Sequence, residues 1–499
     1  MSMNDSFGGA KLPSGELETN VKYIRNIFTN DDTIQFRYLS NPYDSKLHFC
    51  LIFADGMINN KLMNDDLLYP LMHYQFPEKV DDLMELILQH VILSNSTEKT
   101  DDMEEIIQGI VYGDTVLLAD GCDKALILNT KGWNVRSIEE PQSERVTRGP
   151  REGFNESLLI NLSMVRRKLR TPDLKLKYRT LGRRSRTKAC ICYLEGLVNK
   201  KALAELEKRL DAIDIDATLD SNYVSELMKE KPYSAIETAG STERPDVVAA
   251  NLLEGRIALF LDGTPMVLTV PHLFIENFQS DEDYYLNYVF ATIGRMLRLL
   301  AFFISTSVPA IYVALVTYHQ EMLPTPLLLS ISQARQNVPF PTALEMLLML
   351  VVFEMLRESG ARMPGTFGQA LSIVGALVIG QAAVEAKIVS APIIIIVALA
   401  GICGLMVPRI KGYVILMRFF LLLFACIMGL YGYLLGILAM LAQLFGTYSF
   451  GVPIMPDVYA NELQDYKDIY GRITWKAMLK RPGVLTPDHT RQETKGKSK

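Results

Sequence analysis

The chain has 499 residues, with 51 basic and 56 acidic side chains, and its net charge of −5 favours no polyanionic partner. The charges are concentrated before residue 290, whereas apolar runs of membrane length follow one another from Leu297 to Gly446. The first 20 residues contain no apolar stretch typical of a cleaved signal peptide, so we expect the long N-terminal part to stay in the cytoplasm. The six cysteines show neither disulfide nor zinc spacing, which predicts buried thiols.

Two pairs of short motifs in the N-terminal half indicate an internal repeat. Strand-like runs end in Asp55-Gly56 and, 140 residues further on, in Glu195-Gly196. The stretches GDTVLLADG and GRIALFLDG then end in Asp120-Gly121 and Asp262-Gly263, which are 142 residues apart. Because the order of the motifs is kept almost without insertion, the sequence predicts two tandem copies of one unit.

Periodicity between these motifs predicts the same order of elements twice. The first copy has predicted strands at 33–39, 47–54, 115–119 and 125–129 and predicted helices at 79–93 and 102–110. The second copy has predicted strands at 174–181, 187–194, 256–262 and 266–270 and predicted helices at 199–213, 221–230 and 245–253. We therefore expect a disordered N-terminus over 1–20 and two α/β subdomains over 21–142 and 143–280. Each acid–glycine pair is interpreted as a turn in which glycine has a positive φ, with a carboxylate site at the junction as the alternative.

A basic stretch lies between the two copies. From Arg145 to Lys188 there are 14 lysine and arginine residues and three acidic ones. Three explanations stay open: a solvated or subunit-facing surface, attraction to anionic lipid headgroups, and nucleic-acid binding. No aromatic-interleaved RNA-binding pattern or helix-turn-helix pattern accompanies the charge, so no nucleic-acid partner is expected. The candidate surface residues are Arg166, Arg167, Arg183, Arg184 and Arg186.

The C-terminal half is predicted to be an all-α, polytopic membrane domain over 281–450. Three runs have the length of a membrane span, at 297–317, 367–387 and 389–408. The fold class predicted for the whole chain is therefore an α+β membrane protein, in which two duplicated cytoplasmic α/β subdomains precede a helical membrane domain.

The last apolar run, from 412 to 446, has 35 residues, and Gly429 and Gly432 allow either one tilted helix or a tight hairpin. We favour the hairpin, because the basic residues that flank the spans then all lie on the cytoplasmic side. The tail over 451–499 carries nine basic and three acidic residues from Lys467 onward. This charge predicts that both termini are cytoplasmic and that the number of crossings is even.

An apolar stretch with charged residues, from 339 to 365, needs a separate explanation. Its apolar part over 342–356 is short for a span and contains Glu345 and Glu354. Glu354 has Arg357 three residues later on the same helical face, which predicts an ion pair. Glu345 has no such basic neighbour, so it faces either a polar group on a neighbouring helix or a water-filled path.

The next predicted helix carries two ridges of special composition. Small residues recur at every fourth position of one ridge, where another helix can approach closely, and they are Gly368, Ser372, Ala376 and Gly380. The neighbouring ridge carries the polar residues Gln369, Gln381 and Glu385. These polar side chains fit either interhelical hydrogen bonds or the lining of a pore.

An enzyme is not expected from this sequence. The six histidines form no HExxH pair, and the chain has no Walker A loop, GxGxxG motif or nucleophile elbow, so no catalytic residue, metal site or cofactor is predicted. A transporter is a stronger alternative than an enzyme. Duplicated membrane halves would favour a transporter, but the repeat in this sequence lies in the half that is predicted to be soluble. A non-conducting scaffold is a third alternative, and it predicts assembly with partners but no current.

The chain contains several long motifs, which include RGPREGFNESLLINLSMVRRKLR, GRRSRTKACICYLEGLVN, STERPDVVAANLLEGRIALFLDGTPMVLTVP and PFPTALEMLLMLVVFEMLRESGARMPG. These motifs resemble the A subunits of the GerA-type spore germinant receptors, in the GerA/SpoVAF family of spore germination proteins. The resemblance implies a multi-pass protein of the spore inner membrane that acts with a transporter-like B subunit and a lipoprotein C subunit. It also implies a homo-oligomer that forms a nutrient-gated ion channel, whose opening starts germination. Some relatives work in an accessory germination complex, so that role is the alternative.

Overall fold

The computed structural model describes most of the chain. The described residues are 11–12, 15–44, 47–77, 82–93, 97–132, 141, 144, 146–362, 375, 378–455, 468–469, 471–483, 485–486 and 491. They form two five-stranded sheets with their covering helices, followed by a helical part and a two-stranded hairpin.

The first sheet lies in the N-terminal subdomain, and all its strand pairs are antiparallel. Its strands are β1 (Ile34–Ser40), β2 (His48–Ala54), β3 (Thr97–Thr100), β4 (Thr115–Ala119) and β5 (Ala125–Leu128), in the spatial order β1-β2-β4-β5-β3. Its helices are α1 (Leu17–Ile27), α2 (60–73), α3 (83–91) and α4 (Met103–Tyr112). Cys50 and Ile52 face α1 and α4, whereas Phe49 and Leu51 face α2 and α3, so both faces of the sheet are covered.

The second sheet repeats this arrangement. Its strands are β6 (Leu174–Leu181), β7 (Thr187–Leu194), β8 (Gly240–Thr242), β9 (Ile257–Leu261) and β10 (Val267–Val270), in the order β6-β7-β9-β10-β8. Its helices are α5 (Leu158–Lys168), α6 (Lys200–Asp211), α7 (Ser221–Leu227) and α8 (Pro245–Leu253). The strand order is the same as in the first sheet, position by position, so the predicted repeat is confirmed.

The four acid–glycine pairs are turns after strands, as predicted, and their glycines have φ between 77° and 90°. Two of the acids also accept a hydrogen bond from the backbone N–H at the start of a helix. The Oδ1 atom of Asp120 accepts a hydrogen bond from the backbone N–H of Leu17 at 3.1 Å, and Asp262 accepts one from Leu158 at 3.1 Å. The repeat therefore includes α1 and α5, which periodicity did not predict. The edge strands β3 and β8 were missed because three or four polar residues give no periodic signal.

A buried ion pair joins the two subdomains. Nη2 of Arg166 lies 2.7 Å from Oδ2 of Asp31 and 2.8 Å from Oγ1 of Thr33. Nearby, Nζ of Lys175 donates to the carbonyl oxygen of Ile27 at 3.0 Å. The prediction that Arg166 belongs to an exposed basic surface is therefore wrong, because its guanidinium is enclosed between the subdomains and paired with Asp31.

The other candidate basic residues lie nearer the surface. Arg167 is half-buried and pairs with Glu152 at 3.2 Å. The remaining three are exposed in the turn between β6 and β7 and are Arg183, Arg184 and Arg186. Asp214 and Asp216 are acidic partners of the first two, so part of this charge is neutralised within the subdomain.

The helical part follows the second sheet. Its helices are α9 (Tyr288–Tyr318), α10 (Thr325–Ala334), α11 (Thr342–Arg362), α12 (described over 378–385), α13 (Ala391–Leu405) and α14 (Lys411–Phe445). Two segments, Tyr288–Tyr318 and Pro408–Phe445, are long and apolar enough to cross a membrane by length and composition, and Ala391–Leu405 is a shorter apolar helix. The predicted spans at 297–317 and 389–408 fall on α9 and α13, whereas much of the run at 367–387 lies outside the described residues.

α14 is a hairpin of two antiparallel halves. Gly429 interrupts it with φ 63° and ψ −141°, a conformation that glycine adopts far more readily than other residues. Leu444, near the end of the second half, packs in the same apolar cluster as Val414, near the start of the first half. A straight helix would separate these two residues by about 45 Å, so the favoured hairpin prediction is confirmed.

One end of the helical part is docked on the second subdomain. After α14, the chain forms the short strands β11 (Tyr448–Ser449) and β12 (Val452–Pro453), and Oγ of Ser449 donates to the carbonyl of Thr238 at 2.6 Å. Between α13 and α14, Arg409 lies 2.9 Å from Asp281 and 3.2 Å from Glu144. The connection between α13 and α14 and the segment after α14 are thereby both attached to the part of the chain that contains the two sheets.

Candidate functional site

Glu345 is fully buried in the first turn of α11 and has partners on two other segments. Its Oε2 accepts a hydrogen bond from the backbone N–H of Ser390 at 2.9 Å, and its Oε1 lies 3.5 Å from Nη2 of Arg335. Ser390 is the N-cap residue of α13, where free N–H groups and the helix dipole favour a negative charge. Of the two alternatives that the sequence left open, the structure supplies a partner for the first, a polar group on a neighbouring helix.

Glu354 lies in a second charged cluster, further along α11. The predicted ion pair with Arg357 is present. A second guanidinium, from the fully buried Arg418 of α14, places Nη1 2.9 Å from Oε1 of Glu354. In the sequence, Arg418 lies within the apolar run at 412–446. Its partner is 64 residues away, so helical spacing could not identify it.

Arg418 also binds a carbonyl oxygen that Pro309 leaves without a helical partner. A proline inside a helix has no N–H, so the carbonyl four residues earlier loses its helical partner. In α9 this carbonyl belongs to Ser305, and it accepts a hydrogen bond from Nε of Arg418 at 2.8 Å. Oγ of Ser305 donates to the carbonyl of Ala400 in α13 at 2.8 Å. Arg418 therefore ties α9, α11, α13 and α14 together through polar groups that lipid could not satisfy.

Gln381 and Glu385 form an exposed polar face on α12. Nε2 of Gln381 donates to Oε1 of Glu385 at 3.0 Å, and both side chains are exposed. Gly380 is buried on the other side of the helix, where an added Cβ would lie 3.8 Å from Ile394 of α13. The other candidates on this predicted helix lie outside the described residues, and they are Gly368, Gln369, Ser372 and Ala376. α12 thus packs on α13 and leaves its carboxylate unburied.

Ion pairs also hold the start of α9. Arg295 is buried, and its Nε lies 3.0 Å from Oδ2 of Asp283. Its Nη1 lies 2.9 Å from Oδ1 of Asp468, which belongs to the C-terminal tail. Tyr284 donates its hydroxyl to the same aspartate at 2.9 Å. The start of α9 cannot shift without disturbing the tail and the segment that leaves the second sheet.

A neighbouring cluster centres on Glu276. Its carboxylate lies 2.5 Å from Nη1 of Arg256 and 3.0 Å from Nδ1 of His272. Burial alone would raise the pKa of Glu276, but the charges of Arg256 and His272 outweigh this effect and hold the pKa at about 2. The carboxylate is therefore charged throughout the physiological pH range and links the second sheet to the segment that leads into α9.

Within the described part of the chain, no group of three or more His, Cys, Asp or Glu residues could hold a metal ion. All six cysteines are free thiols, of which Cys122 and Cys426 are half-buried and the other four are buried. Burial raises the pKa of the Cys50 thiol to about 12, so this thiol is unreactive at neutral pH.

These features define a two-part class of protein, in which a duplicated α/β portion holds one end of a bundle of apolar helices with buried charges. The chain matches the family model described as "Bacillus/Clostridium GerA spore germination protein" over residues 22–484. It therefore belongs to this family of spore germination proteins, which is not a known enzyme family, and the resemblance seen in the sequence is confirmed. Membership gives the chain a role in germination and implies association with the spore inner membrane.

Two relatives and one solved structure show the extent of the similarity. The chain is 40% identical to spore germination protein KA of Bacillus subtilis (strain 168) over 484 residues, which cover 96% of this chain and 89% of the relative. It is 34% identical to spore germination protein B1 of the same organism over 480 residues, covering 96% and 99%. The crystal structure of the N-terminal domain of the A subunit of the Bacillus megaterium spore germinant receptor GerK3 is 33% identical, covers 53% of this chain and 98% of its own, and gives a TM-score of 0.43.

Proposed function

We propose that the chain is the A subunit of a spore germinant receptor, and that it assembles with copies of itself into a nutrient-gated cation channel whose opening starts germination. Its proposed partners are a transporter-like B subunit and a lipoprotein C subunit, together with the lipid of the spore inner membrane. Family membership supports the role in germination. The channel rests on the polar groups of the helical part.

The exposed face of Gln381 and Glu385 is the observation that carries the channel proposal. An ionised carboxylate that faces lipid is costly, so Glu385 needs water or another protein surface beside it. Within one chain the buried side of α12 packs on α13, and the polar side is uncovered. Copies arranged around an axis would bring these faces together. A ring of carboxylates then concentrates cations, as acidic rings do in cation-selective pores.

Glu345 has a different role in this proposal. Its carboxylate is already offset by Arg335 and by the N-terminus of α13, so little of its charge is left to attract a passing cation. We assign it to anchoring α11 against α13. We likewise assign the predicted small-residue ridge to close helix packing; of its four residues, Gly380 is the one that lies within the described part of the chain, where it is buried beside Ile394 of α13.

The proposed topology has six crossings and places both termini on the cytoplasmic side. The crossing segments are α9, α11, the run that contains α12, α13 and the two halves of α14. α11 has 21 residues and spans about 31 Å, which is long enough for a hydrocarbon core once its charges are paired inside the bundle. An even number of crossings brings the tail back to the side of the two sheets, in keeping with the contact between Asp468 and Arg295.

The test is potassium flux from liposomes that contain the full chain, alone and together with its B and C partners. Nutrient-dependent potassium release that requires the A subunit supports the channel. A correctly assembled complex that passes no current under any nutrient would contradict conduction, and it would leave the accessory-complex and scaffold alternatives. Cross-linking in the same liposomes reports assembly independently of flux.

A further inference from the structure

The loop between α7 and β8 carries a fully exposed aromatic side chain. The side chain of Tyr233 is fully exposed to solvent, and the neighbouring residues Lys231 and Pro232 are also exposed. A single exposed tyrosine is ordinary on a protein surface and indicates nothing by itself. The exposed tyrosine becomes informative because this loop, residues 229–233, lies next to the helical part.

The loop is attached to the end of α14. Nζ of Lys231 donates to the carbonyl oxygen of Gly446, the C-cap residue of α14, at 2.8 Å. Carbonyls at a helix C-terminus lack helical partners and form the negative end of the dipole, so an ammonium group is favoured there. Leu438 and Phe445 are exposed on the last two turns of the same helix. The apolar outer surface of α14 therefore runs directly to the loop.

Strand directions place the loop at the end of the sheet where the chain leaves for the helices. β8 is antiparallel to β10, with Gly240 opposite Thr269, so the start of β8 lies beside the end of β10. The 229–233 loop precedes β8, and the chain continues from β10 towards α9. In contrast, β7 runs parallel to β10, since both are antiparallel to β9. The basic turn at 183–186, which precedes β7, therefore lies at the opposite end of the sheet.

The charged side chains of the loop differ in whether they have an ion-pair partner. Lys229 pairs with Glu237 at 3.2 Å, and Glu230 lies 3.6 Å from Arg209. Lys231 has no carboxylate partner within the described residues, and its ammonium contacts only a neutral carbonyl. The loop thus offers one ammonium group without a carboxylate partner among the described residues, and one amphipathic ring two residues later.

We propose that the 229–233 loop is a lipid-contact surface, in which Tyr233 lies at the level of the headgroups and Lys231 faces the phosphates of anionic lipids. The inference rests on the proposed membrane placement of α14. Tyrosine is enriched at membrane interfaces because its ring is apolar and its hydroxyl is wet, and basic residues there are attracted by anionic headgroups. Tyr448, exposed just beyond the end of α14, extends the same surface. Lipid contact in the second subdomain therefore belongs to this loop, and the 183–186 turn lies too far away.

Tryptophan fluorescence tests the proposal on the full chain. Trp133→Phe and Trp475→Phe remove both native tryptophans, and Tyr233→Trp then introduces a single reporter. In phosphatidylcholine–phosphatidylglycerol vesicles, brominated lipid should at least halve its emission. Quenching should be stronger when bromine is carried by phosphatidylglycerol, and Lys231→Gln should remove that preference. The matched control is Tyr43→Trp, at an exposed tyrosine of the first subdomain, which should not be quenched.

Three results would overturn the proposal. Equal quenching at positions 233 and 43 would show that the contact is not specific to the loop. An unquenched reporter at 233 that is accessible to aqueous iodide would place the loop in water. A reporter shielded from both quenchers would mean that a neighbouring protein covers it. Extraction of the whole chain from the vesicles by alkaline carbonate is a separate outcome, because it would contradict the membrane placement on which the proposed function also depends.

Discussion

Two glutamates of the helical part, Glu345 and Glu385, look alike in sequence and differ in structure. Both lie in apolar runs and were candidates for a pore or for polar contacts between helices. Glu345 is fully buried and held by Ser390 and Arg335, whereas Glu385 is exposed and is held by Gln381 of its own helix. An acid in an apolar run is therefore not by itself a sign of a pore. The charge of such an acid can attract a passing cation only where neighbouring groups do not already neutralise it.

The largest expected effect tests the buried side of this comparison. Arg418→Leu leaves the half-buried Glu354 with Arg357 as its remaining partner and the Ser305 carbonyl without a donor. Breaking a fully buried pair costs about 3–5 kcal/mol, and this range is the upper bound for the variant. We expect a large fall in the unfolding midpoint in detergent and in the yield of assembled protein. The matched control is Arg362→Leu, which removes an exposed arginine of α11 and should leave the midpoint nearly unchanged.

A double variant separates the ion pair from simple loss of volume. Glu354→Gln with Arg418→Met removes both charges and keeps long side chains, so it should recover part of the stability lost in Arg418→Leu. If the double variant were as unstable as the single one, the pairing of Arg418 with Glu354 would not be the main contribution of that arginine.

Glu345 should give the next largest effect. Glu345→Leu removes the acceptor for the Ser390 N–H and the acid facing Arg335, which should lower the free energy of unfolding by about 1–3 kcal/mol. Glu345→Gln keeps an oxygen for Ser390 and should lose less. Thermal unfolding and the oligomer fraction, measured by light scattering, provide the test. A fully assembled Glu345→Gln complex with lost cation selectivity would return this residue to the pore.

The low pKa of Glu276 predicts how the end of the helical part that is docked on the second subdomain responds to acid. Its pKa is held at about 2, below the ordinary value of 4.5, so its contribution to stability is fully present above pH 4.5 and is lost as the pH falls towards 2. The unfolding midpoint of the full chain should therefore fall over this window. Glu276→Gln should be less stable at neutral pH, and its profile should converge with the parent profile in acid. Two parallel profiles would contradict the assigned pairing.

The smallest expected effect concerns the packed side of α12. An alanine methyl at Gly380 would lie 3.8 Å from Ile394, which is an ordinary van der Waals contact. Gly380→Ala should therefore change the free energy of unfolding by no more than about 1 kcal/mol, with helix propensity favouring alanine. A strongly destabilised variant would mean that a second helix approaches this ridge more closely than α13 does.

The parts of the molecule that depend on local patterns are predictable from the sequence. The repeat was visible because turn motifs recur at a fixed distance, and the pairing of Glu354 with Arg357 follows from helical spacing. The partners of Arg166 and Arg418 were not identified, because each lies on a different element far along the chain. Even so, an arginine in one apolar run and a proline in another are signals that, taken together, could have suggested a freed carbonyl and its donor.

We propose that Glu385 borders the conduction path and that Glu345 does not. The most direct test is the reversal potential for potassium over chloride, measured in planar bilayers with assembled complexes that carry either Glu385→Gln or Glu345→Gln. We predict that Glu385→Gln lowers potassium conductance and moves the reversal potential towards zero, while Glu345→Gln leaves both near the parent values. Unchanged selectivity in Glu385→Gln, together with lost selectivity in Glu345→Gln, would contradict it.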